Sequence, residues 1–232
     1  MVTINRYLDI VLNDFQKYVG SQNELCDLLN AHYDAGKIPD YSNCHVKQLY
    51  LLRYAYAYAF EYKYMYRRLM GRMNSNERLN VTSIGCGNML DYWSLSHAVN
   101  SRHSVTYTGI DTIEWSYAFE PRPCDNVELI IGDAISYFQQ QAVLSSNVYM
   151  FPKSTSEFSI DEIKTLAECF TTDRISHQTI HFMFSLRVDP RSLERDMNRT
   201  SVIYETLLDN GFHTSDKENT YFGFRDDIKG NL

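Results

Sequence analysis

The chain has 232 residues, 44% of them hydrophobic, which suffices for one α/β domain with an added segment but is short for two full domains. Its formal net charge of −7 disfavours unspecific binding to nucleic-acid phosphates. The five cysteines form no Cys-x-x-Cys pair, the histidines lack metal-ligand spacing, and no apolar run could span a bilayer. We therefore expect a cytoplasmic protein without disulfides, a metal or membrane contact.

The first 75 residues predict helices and no strands. Apolar spacing predicts one helix over residues 4–18, a second over residues 22–32 and a long third over residues 46–73. The polar run Asn74-Ser75-Asn76 then breaks the pattern. We predict a helical N-terminal cap over residues 1–75 and an α/β domain over residues 76–232.

Tyrosines recur at every fourth position of the long helix, at Tyr50, Tyr54, Tyr58, Tyr62 and Tyr66. This spacing places them along one slowly drifting face. Most such rows pack into a core, but a phenol is costly to bury without a partner, so one or two of these side chains are expected to reach a ligand. Tyr58, in the middle of the row, is our candidate for contact with the reacting group.

From residue 81 onward, short β-rich runs alternate with helices, and strands are predicted over residues 81–84, 105–110, 127–131, 147–151 and 179–186. Ser159 and Glu162 form a capping-box pattern, and a later helix should begin near Pro190 and end near Gly211. Two further short strands are predicted within residues 212–224. The fold class is thus α/β: a doubly wound, mostly parallel seven-stranded sheet with a C-terminal antiparallel hairpin, preceded by the helical cap.

A strand, a glycine turn and a helix follow one another over residues 81–99. Gly85-Cys86-Gly87 forms the turn, where a side chain would keep the backbone away from a nucleotide-like ligand. Dinucleotide-binding enzymes use Gly-x-Gly-x-x-Gly, but the third position here is Leu90, which disfavours NAD or FAD.

From Val81 to its C-terminal residue, the chain resembles the class I S-adenosylmethionine-dependent methyltransferases. Three segments carry the resemblance, at three successive strand ends: Ser83-Ile84-Gly85-Cys86-Gly87, Tyr107-Thr108-Gly109-Ile110-Asp111 and Ile131-Gly132-Asp133-Ala134. A closing hairpin also fits this family. The resemblance implies S-adenosyl-L-methionine as the cofactor.

The resemblance further implies a role for each segment. The glycine turn would lie under the methionine part of the cofactor, Asp111 would accept hydrogen bonds from both ribose hydroxyls, and the segment around Asp133 would contact adenine. Asp91 is a candidate for the missing carboxylate near the methionine amine, although it equally suits the start of a helix. The predicted cofactor-binding residues are Ser83, Ile84, Gly85, Cys86, Gly87, Asp91, Asp111, Thr112, Asp133, Ala134 and Phe151.

The segment after the fourth strand faces the methyl group in this family. Here it reads Phe151-Pro152-Lys153-Ser154, which is neither the Asp/Asn-Pro-Pro-aromatic motif of amino methylation nor a Pro-Cys nucleophile. Phe151 is expected to pack on the cofactor, Lys153 to orient an anionic group of the substrate and Glu157 to accept a proton. The predicted catalytic residues are Tyr58, Lys153 and Glu157. The alternatives that remain open are a solvated side chain for Lys153 and a helix start for Glu157.

The function predicted first is in-line methyl transfer to a small molecule or a protein side chain. A non-catalytic adenosyl-binding or interaction module is the alternative, because Ser83 and Met89 stand where the family usually has an acid and often a third glycine. An NAD-dependent oxidoreductase is a weaker alternative. Nucleic acid is disfavoured as a partner, and the sequence does not indicate an oligomeric state.

Overall fold

A computed structural model describes residues 2–19, 40–73, 78–99, 104–187 and 190–213. These segments contain six α-helices: α1 (Ile4–Tyr18), α2 (Cys44–Met70), α3 (Leu90–Ala98), α4 (Ala134–Gln140), α5 (Ile160–Glu168) and α6 (Pro190–Asp209). They also contain five strands: β1 (Asn80–Ile84), β2 (Thr106–Asp111), β3 (Asn126–Ile131), β4 (Val148–Pro152) and β5 (His181–Ser185).

The five strands form one sheet in the order β3-β2-β1-β4-β5, and every neighbouring pair is parallel. Each strand lies within two residues of its predicted position. The chain crosses from β3 back to β4 beside β1, so ligands are expected at the carboxyl ends of β1 and its neighbours. The predicted helix over residues 22–32 lies outside the described residues. The predicted hairpin does too, except for Phe212 and His213.

Helices cover both faces of the sheet, as predicted for a doubly wound fold. On one face, Val81, Tyr107 and Met150 pack against α1, α2 and α3 in the first core. On the other face, Ile110 and Tyr149 pack against α4, α5 and α6 in the second core. Successive strand residues point to opposite faces, which explains how neighbours such as Tyr149 and Met150 enter different cores.

Local sequence signals set the helix ends. Ser159 and Glu162 form the predicted capping box at the start of α5, with both hydrogen bonds present. Helix α6 ends at Asp209, and Gly211 follows with a φ of +88°, a conformation that favours glycine.

The N-terminal helices share the first hydrophobic core with the sheet. Helix α2 lies along α3, and the Ser94 hydroxyl of α3 donates a hydrogen bond to the Ala59 carbonyl of α2 at 2.9 Å. The side chains of Val11 and Leu51 belong to the same core as Val81. The division into two domains at residue 75 stays a prediction. No helix within the described segments combines the length and the apolar character needed to cross a membrane.

Two fully buried tyrosines on opposite faces of the sheet differ in their hydrogen bonding. Tyr107 donates its hydroxyl to the Asp91 carboxylate at 2.9 Å. Tyr149 packs between Phe138, Phe170 and Phe182, and its hydroxyl has no hydrogen-bond partner among the described residues. The same chemical group therefore has opposite consequences for stability at the two positions.

We expect Tyr149→Phe to raise the free energy of unfolding by about 1 kcal/mol, because it removes a buried hydroxyl without a partner. Tyr107→Phe is the matched control, and it should lower that free energy by about 1–3 kcal/mol because Asp91 loses a donor. Urea denaturation of both variants measures the difference. A marked loss of stability in Tyr149→Phe would contradict this assignment.

Candidate active site

The turn between β1 and α3 is built on left-handed backbone conformations. Gly85, Gly87 and Met89 have φ values of 69°, 56° and 65°. The N–H groups of Gly85 and Cys86 both donate to the Ile110 carbonyl of β2, at 2.8 and 3.1 Å. The turn is therefore fixed against the end of β2.

Gly85 also lies directly against the segment that follows β4. A Cβ atom at position 85 would be 2.4 Å from the Cβ atom of Ser154, a distance that real Cβ atoms do not adopt. The Ser154 hydroxyl donates to the Ile84 carbonyl at the end of β1. The missing side chain at position 85 therefore allows the ends of β1 and β4 to touch.

Asp111, at the end of β2, is joined to the glycine turn by its side chain. Its Oδ2 accepts from the Gly87 N–H and its Oδ1 from the Ile113 N–H, each at 2.8 Å. Burial raises the pKa of Asp111, and these N–H donors act in the opposite direction. Each carboxylate oxygen keeps a second lone pair, so Asp111 can accept two further hydrogen bonds.

Trp115 covers the other side of the turn. Its ring lies 3.6 Å from the point that a Gly87 Cβ atom would occupy. The indole N–H is buried near the Asp111 carboxylate, but it completes no hydrogen bond with a described residue. A buried donor without a partner beside an acceptor with spare capacity suits a ligand that carries both kinds of group.

Three predicted cofactor residues follow β2 and β3 at the same edge of the sheet. Thr112 and Asp133 are exposed, and the Gly132 N–H donates to the Asp111 carbonyl at 2.8 Å. The Asp133 side chain caps helix α4 by accepting from the Ser136 N–H at 2.7 Å. Ala134 is buried as the first residue of that helix.

Several predicted cofactor residues present no side chain to a ligand. Ser83, Ile84 and Phe151 have no exposed surface. The Phe151 ring stacks on Phe184 with a centroid distance of 4.9 Å, inside the second core. We predicted that the ring packs on the cofactor, whereas the structure places it in the core. The buried Cys86 thiol has a raised pKa because of desolvation, which suits a small turn residue and not a nucleophile.

Asp91 lies behind the glycine turn and not on its open side. It is 1% exposed and accepts from the hydroxyls of Tyr107 at 2.9 Å and Tyr66 at 3.4 Å. The buried Ser83 hydroxyl is close but does not complete a hydrogen bond. Burial raises the pKa of Asp91 to about 6. The carboxylate thus joins α2, β2 and α3, and it lies in the first turn of α3, as the helix-start alternative predicts. Its contact with the methionine amine stays a prediction.

Lys153 joins the end of β4 to helix α2. Its ammonium group donates to Glu61 at 2.8 Å and to the Leu186 carbonyl at 2.6 Å, and only 8% of the residue is exposed. The Ser185 hydroxyl donates to the same Glu61 oxygen. Burial lowers the pKa of Lys153, and Glu61 opposes this effect. A substrate anion bound at Lys153, as predicted, would have to share the ammonium group with Glu61 and the Leu186 carbonyl.

Tyr58 is the predicted α2 residue that lies beside Lys153. The Lys153 ammonium is 5.1 Å from the centre of the Tyr58 ring. Burial raises the pKa of Tyr58 to about 12, so the phenol stays protonated at neutral pH. Two of the three predicted catalytic residues therefore lie in direct contact.

Glu157 ends a short 3₁₀ turn, Thr155–Glu157, that begins just after Ser154. The residue is exposed to solvent, although protein atoms surround its carboxyl group. This enclosure raises the pKa of Glu157 to about 7, with a further contribution from Asp111 and an opposing one from Arg187. At neutral pH the group can therefore both accept and release a proton.

The sequence did not single out two residues of the site, Trp115 and Glu61. It also did not indicate the proximity of Arg187 to Glu157. Glu61 had a signal, since it is a charged residue within an aromatic helix, three positions after Tyr58. Trp115 had only its position shortly after Asp111. In the sequence, Arg187 forms a basic cluster with Arg191 and Arg195, a pattern that more often indicates a solvated face.

The contact between Gly85 and Ser154 predicts the effect of one added methyl group. We expect Gly85→Ala to lower the free energy of unfolding by about 2–4 kcal/mol, because it combines a strained φ with steric overlap. Gly132→Ala is the matched control and should change it by less than about 0.5 kcal/mol, since nothing lies within 4 Å of its added Cβ.

The double variant Gly85→Ala/Ser154→Gly separates strain from overlap. Removal of the Ser154 side chain should make the double variant more stable than the sum of the two single changes predicts. Denaturation with urea provides all four values. Strict additivity would contradict the close contact.

We expect Glu157 to titrate near pH 7, the value at which its enclosure places the pKa. Carbon-13 NMR of labelled glutamate carboxyls measures this, and Glu157→Gln identifies the resonance. Asp111→Asn should lower the pKa of Glu157 because a nearby negative charge is removed. Glu162, whose pKa is lowered by the capping-box hydrogen bonds, is the internal control. A Glu157 titration at the ordinary value of 4.5 would contradict the enclosure.

No protein-family model matches the chain, and no curated protein sequence matches it. Among solved structures, a Nostoc punctiforme protein described as an O-methyltransferase is similar over 86% of this chain and 66% of its own length, with 14% identity and a TM-score of 0.51. This chain thus spans about two thirds of that protein.

Two more structures have lower TM-scores. An Archaeoglobus fulgidus protein described as a SAM dependent methyltransferase aligns over 69% of this chain and 75% of its own, with 15% identity and a TM-score of 0.46. The plantazolicin methyltransferase BpumL, in complex with a monoazolic desmethylPZN analog and SAH, aligns over 81% and 76%, with 16% identity and a TM-score of 0.46. Of these three structures, the Nostoc protein has a TM-score above 0.5, and the likeness shows that this chain shares its α/β fold.

Proposed function

We propose that this protein is an S-adenosylmethionine-dependent methyltransferase that acts by direct in-line transfer on a small molecule or a protein side chain. The observation that carries the proposal is the hydrogen bond from the Gly87 N–H of the glycine turn to Asp111 Oδ2, at 2.8 Å. It places an acceptor for ribose hydroxyls beside a backbone that a ligand can approach closely. The glycine turn and Asp111 lie at the carboxyl ends of the neighbouring strands β1 and β2, where an open parallel sheet binds ligands.

The residues present fit this cofactor. Asp111 would hold the ribose hydroxyls, and the Trp115 N–H, buried near the Asp111 carboxylate, would meet an acceptor beside them. Thr112 and Asp133, with the backbone of Ala134, would face the adenine. The backbone of Gly85, Cys86 and Gly87 would lie along the methionine part. Bound there, S-adenosylmethionine supplies a methyl group on a sulfonium that is already a good leaving group.

The protein's own contribution is to position the methyl acceptor and to accept the proton that the acceptor loses. Glu157 would accept the proton of the nucleophile, and its pKa of about 7 suits that role at neutral pH. Lys153 and Tyr58 would define the opposite side, with Lys153 held in place by Glu61. Such alignment lowers the barrier without covalent chemistry by the protein. A cytoplasmic location stays a prediction from cysteine usage.

A binding module without catalysis is the second candidate. It is favoured by the burial of Asp91, the candidate carboxylate for the methionine amine, and of Ser83, which stands where the family usually has an acid. A dinucleotide enzyme has less support. Leu90 is buried in the first core, where a dinucleotide site needs the close approach that glycine permits.

Asp111→Ala tests the cofactor site. We expect the variant to bind S-adenosylmethionine and S-adenosylhomocysteine about 10- to 150-fold more weakly, equivalent to about 1.5–3 kcal/mol for hydrogen bonds to a charged group. Titration calorimetry measures the affinity, and a thermal melt confirms that the variant is folded. Glu168→Ala, which removes an exposed carboxylate from α5, should bind like the original protein.

Transfer of a labelled methyl group to components of a cell extract distinguishes the two candidates. The methyltransferase proposal requires label transfer by the original protein and its loss in Asp111→Ala. Tight binding of both adenosyl ligands without any transfer would support the binding module. Absence of binding to either ligand would refute both.

A further inference from the structure

We infer that the methyl acceptor is an aromatic compound with a hydroxyl group, bound against the tyrosine wall, which we define as Tyr50, Tyr54 and Tyr58 of α2. The inference rests on the proposed function and specifies its substrate class. It is carried by the shape of the wall, by what lies at its two ends and by the charges around it.

The structure divides the predicted row of five tyrosines into two parts. Tyr62 and Tyr66 are buried in the first core, whereas the three residues of the tyrosine wall are partly exposed. Tyr54 and Tyr58 are stacked, with centroids 5.4 Å apart and planes inclined by 8°, and Tyr50 lies 5.3 Å from Tyr54. The wall is thus a row of adjacent aromatic rings, with the two nearly parallel rings at its Tyr58 end and a tilted ring at Tyr50.

The two ends of the tyrosine wall coincide with the two sides of the cofactor site. At one end, Tyr50 lies 5.5 Å from Trp115, which covers Gly87. At the other end, Tyr58 contacts Lys153, directly after β4. A ligand on the wall would therefore lie between the glycine turn and the end of β4. An aromatic ring is the group that gains most there, because it can stack on the phenols.

The surrounding charges select among aromatic acceptors. The Lys153 ammonium already lies over the Tyr58 ring, and the charge of Arg187 acts on both Tyr58 and Glu157. Lys153, paired with Glu61, already occupies the face of Tyr58 that would bind a cation, so a cationic acceptor would have to compete with it. An acceptor oxygen that gains negative charge as its proton leaves would be stabilised there. These charges favour a hydroxyl over an amine or a quaternary ammonium group.

The transfer step balances without any further reactant. A lone pair on the hydroxyl oxygen forms the new O–C bond to the methyl carbon, and the electrons of the broken C–S bond return to sulfur. The hydroxyl proton passes to the Glu157 carboxylate, which releases it to solvent. The products are the aryl methyl ether and S-adenosylhomocysteine.

Binding of 2-naphthol and of decahydro-2-naphthol tests the inference, because the second probe keeps the hydroxyl and the ring skeleton but has no aromatic face. With saturating S-adenosylhomocysteine, calorimetry should give an affinity for 2-naphthol about tenfold higher than for the saturated probe. With S-adenosylmethionine instead, mass spectrometry should detect the methyl ether of 2-naphthol. Equal affinity of the two probes, or no binding of 2-naphthol, would overturn the inference.

Variants of α2 locate the binding surface. Tyr54→Leu should weaken 2-naphthol binding about tenfold, and Tyr54→Phe should stay within about twofold because it keeps the ring. The matched control is Tyr56→Leu, two positions along on the exposed side of the same helix, which should have no effect. Equal losses in Tyr54→Leu and Tyr56→Leu would place the ligand elsewhere. If the original protein fails to bind S-adenosylhomocysteine, the proposed function fails; if it binds the cofactor without preferring 2-naphthol, only this inference fails.

Discussion

The geometry of the whole strand edge depends on the contact between Gly85 and Ser154. With no side chain at position 85, the turn after β1 can lie against the segment after β4, and the Ser154 hydroxyl can reach the Ile84 carbonyl. The same turn is fixed to β2 by the Ile110 carbonyl and the Asp111 carboxylate. Three strand ends are thereby held as one unit, which is the rigidity that a binding site on a parallel sheet requires.

Helix α2 is attached to this unit by polar contacts in its C-terminal half. Near the strand ends, Glu61 accepts from Lys153 and Ser185. Deeper in the core, Tyr66 donates to Asp91. A largely buried ion pair adds little net stability, because its attraction is offset by desolvation, but it does define one orientation of the helix. The helix is therefore held in one register, with Tyr58 beside Lys153 at the end of β4.

The sequence predicted the local features of the fold and of the site well. Short apolar runs identified all five described strands, and the pattern at Ser159 and Glu162 identified a helix start, because these signals lie within a few residues of one another. The face on which Phe151 lies could not be predicted, since all five residues of β4 are buried and alternation disappears. The partners of Asp91 and Lys153 were also hidden, because Tyr66 and Glu61 are 25 and 92 residues away.

The tyrosine row of α2 has two parts, which differ in their burial along successive turns of one helix. Tyr62 and Tyr66 are packed in the interior, where a change of size or polarity disturbs the core and the Asp91 carboxylate. Tyr50, Tyr54 and Tyr58 are partly open to solvent, although Tyr50 and Tyr58 also pack against the edge of the first core. If a ligand binds against the wall as inferred, its selection could change through substitutions between Tyr50 and Tyr58 without a change at Tyr62 and Tyr66, which hold the core together.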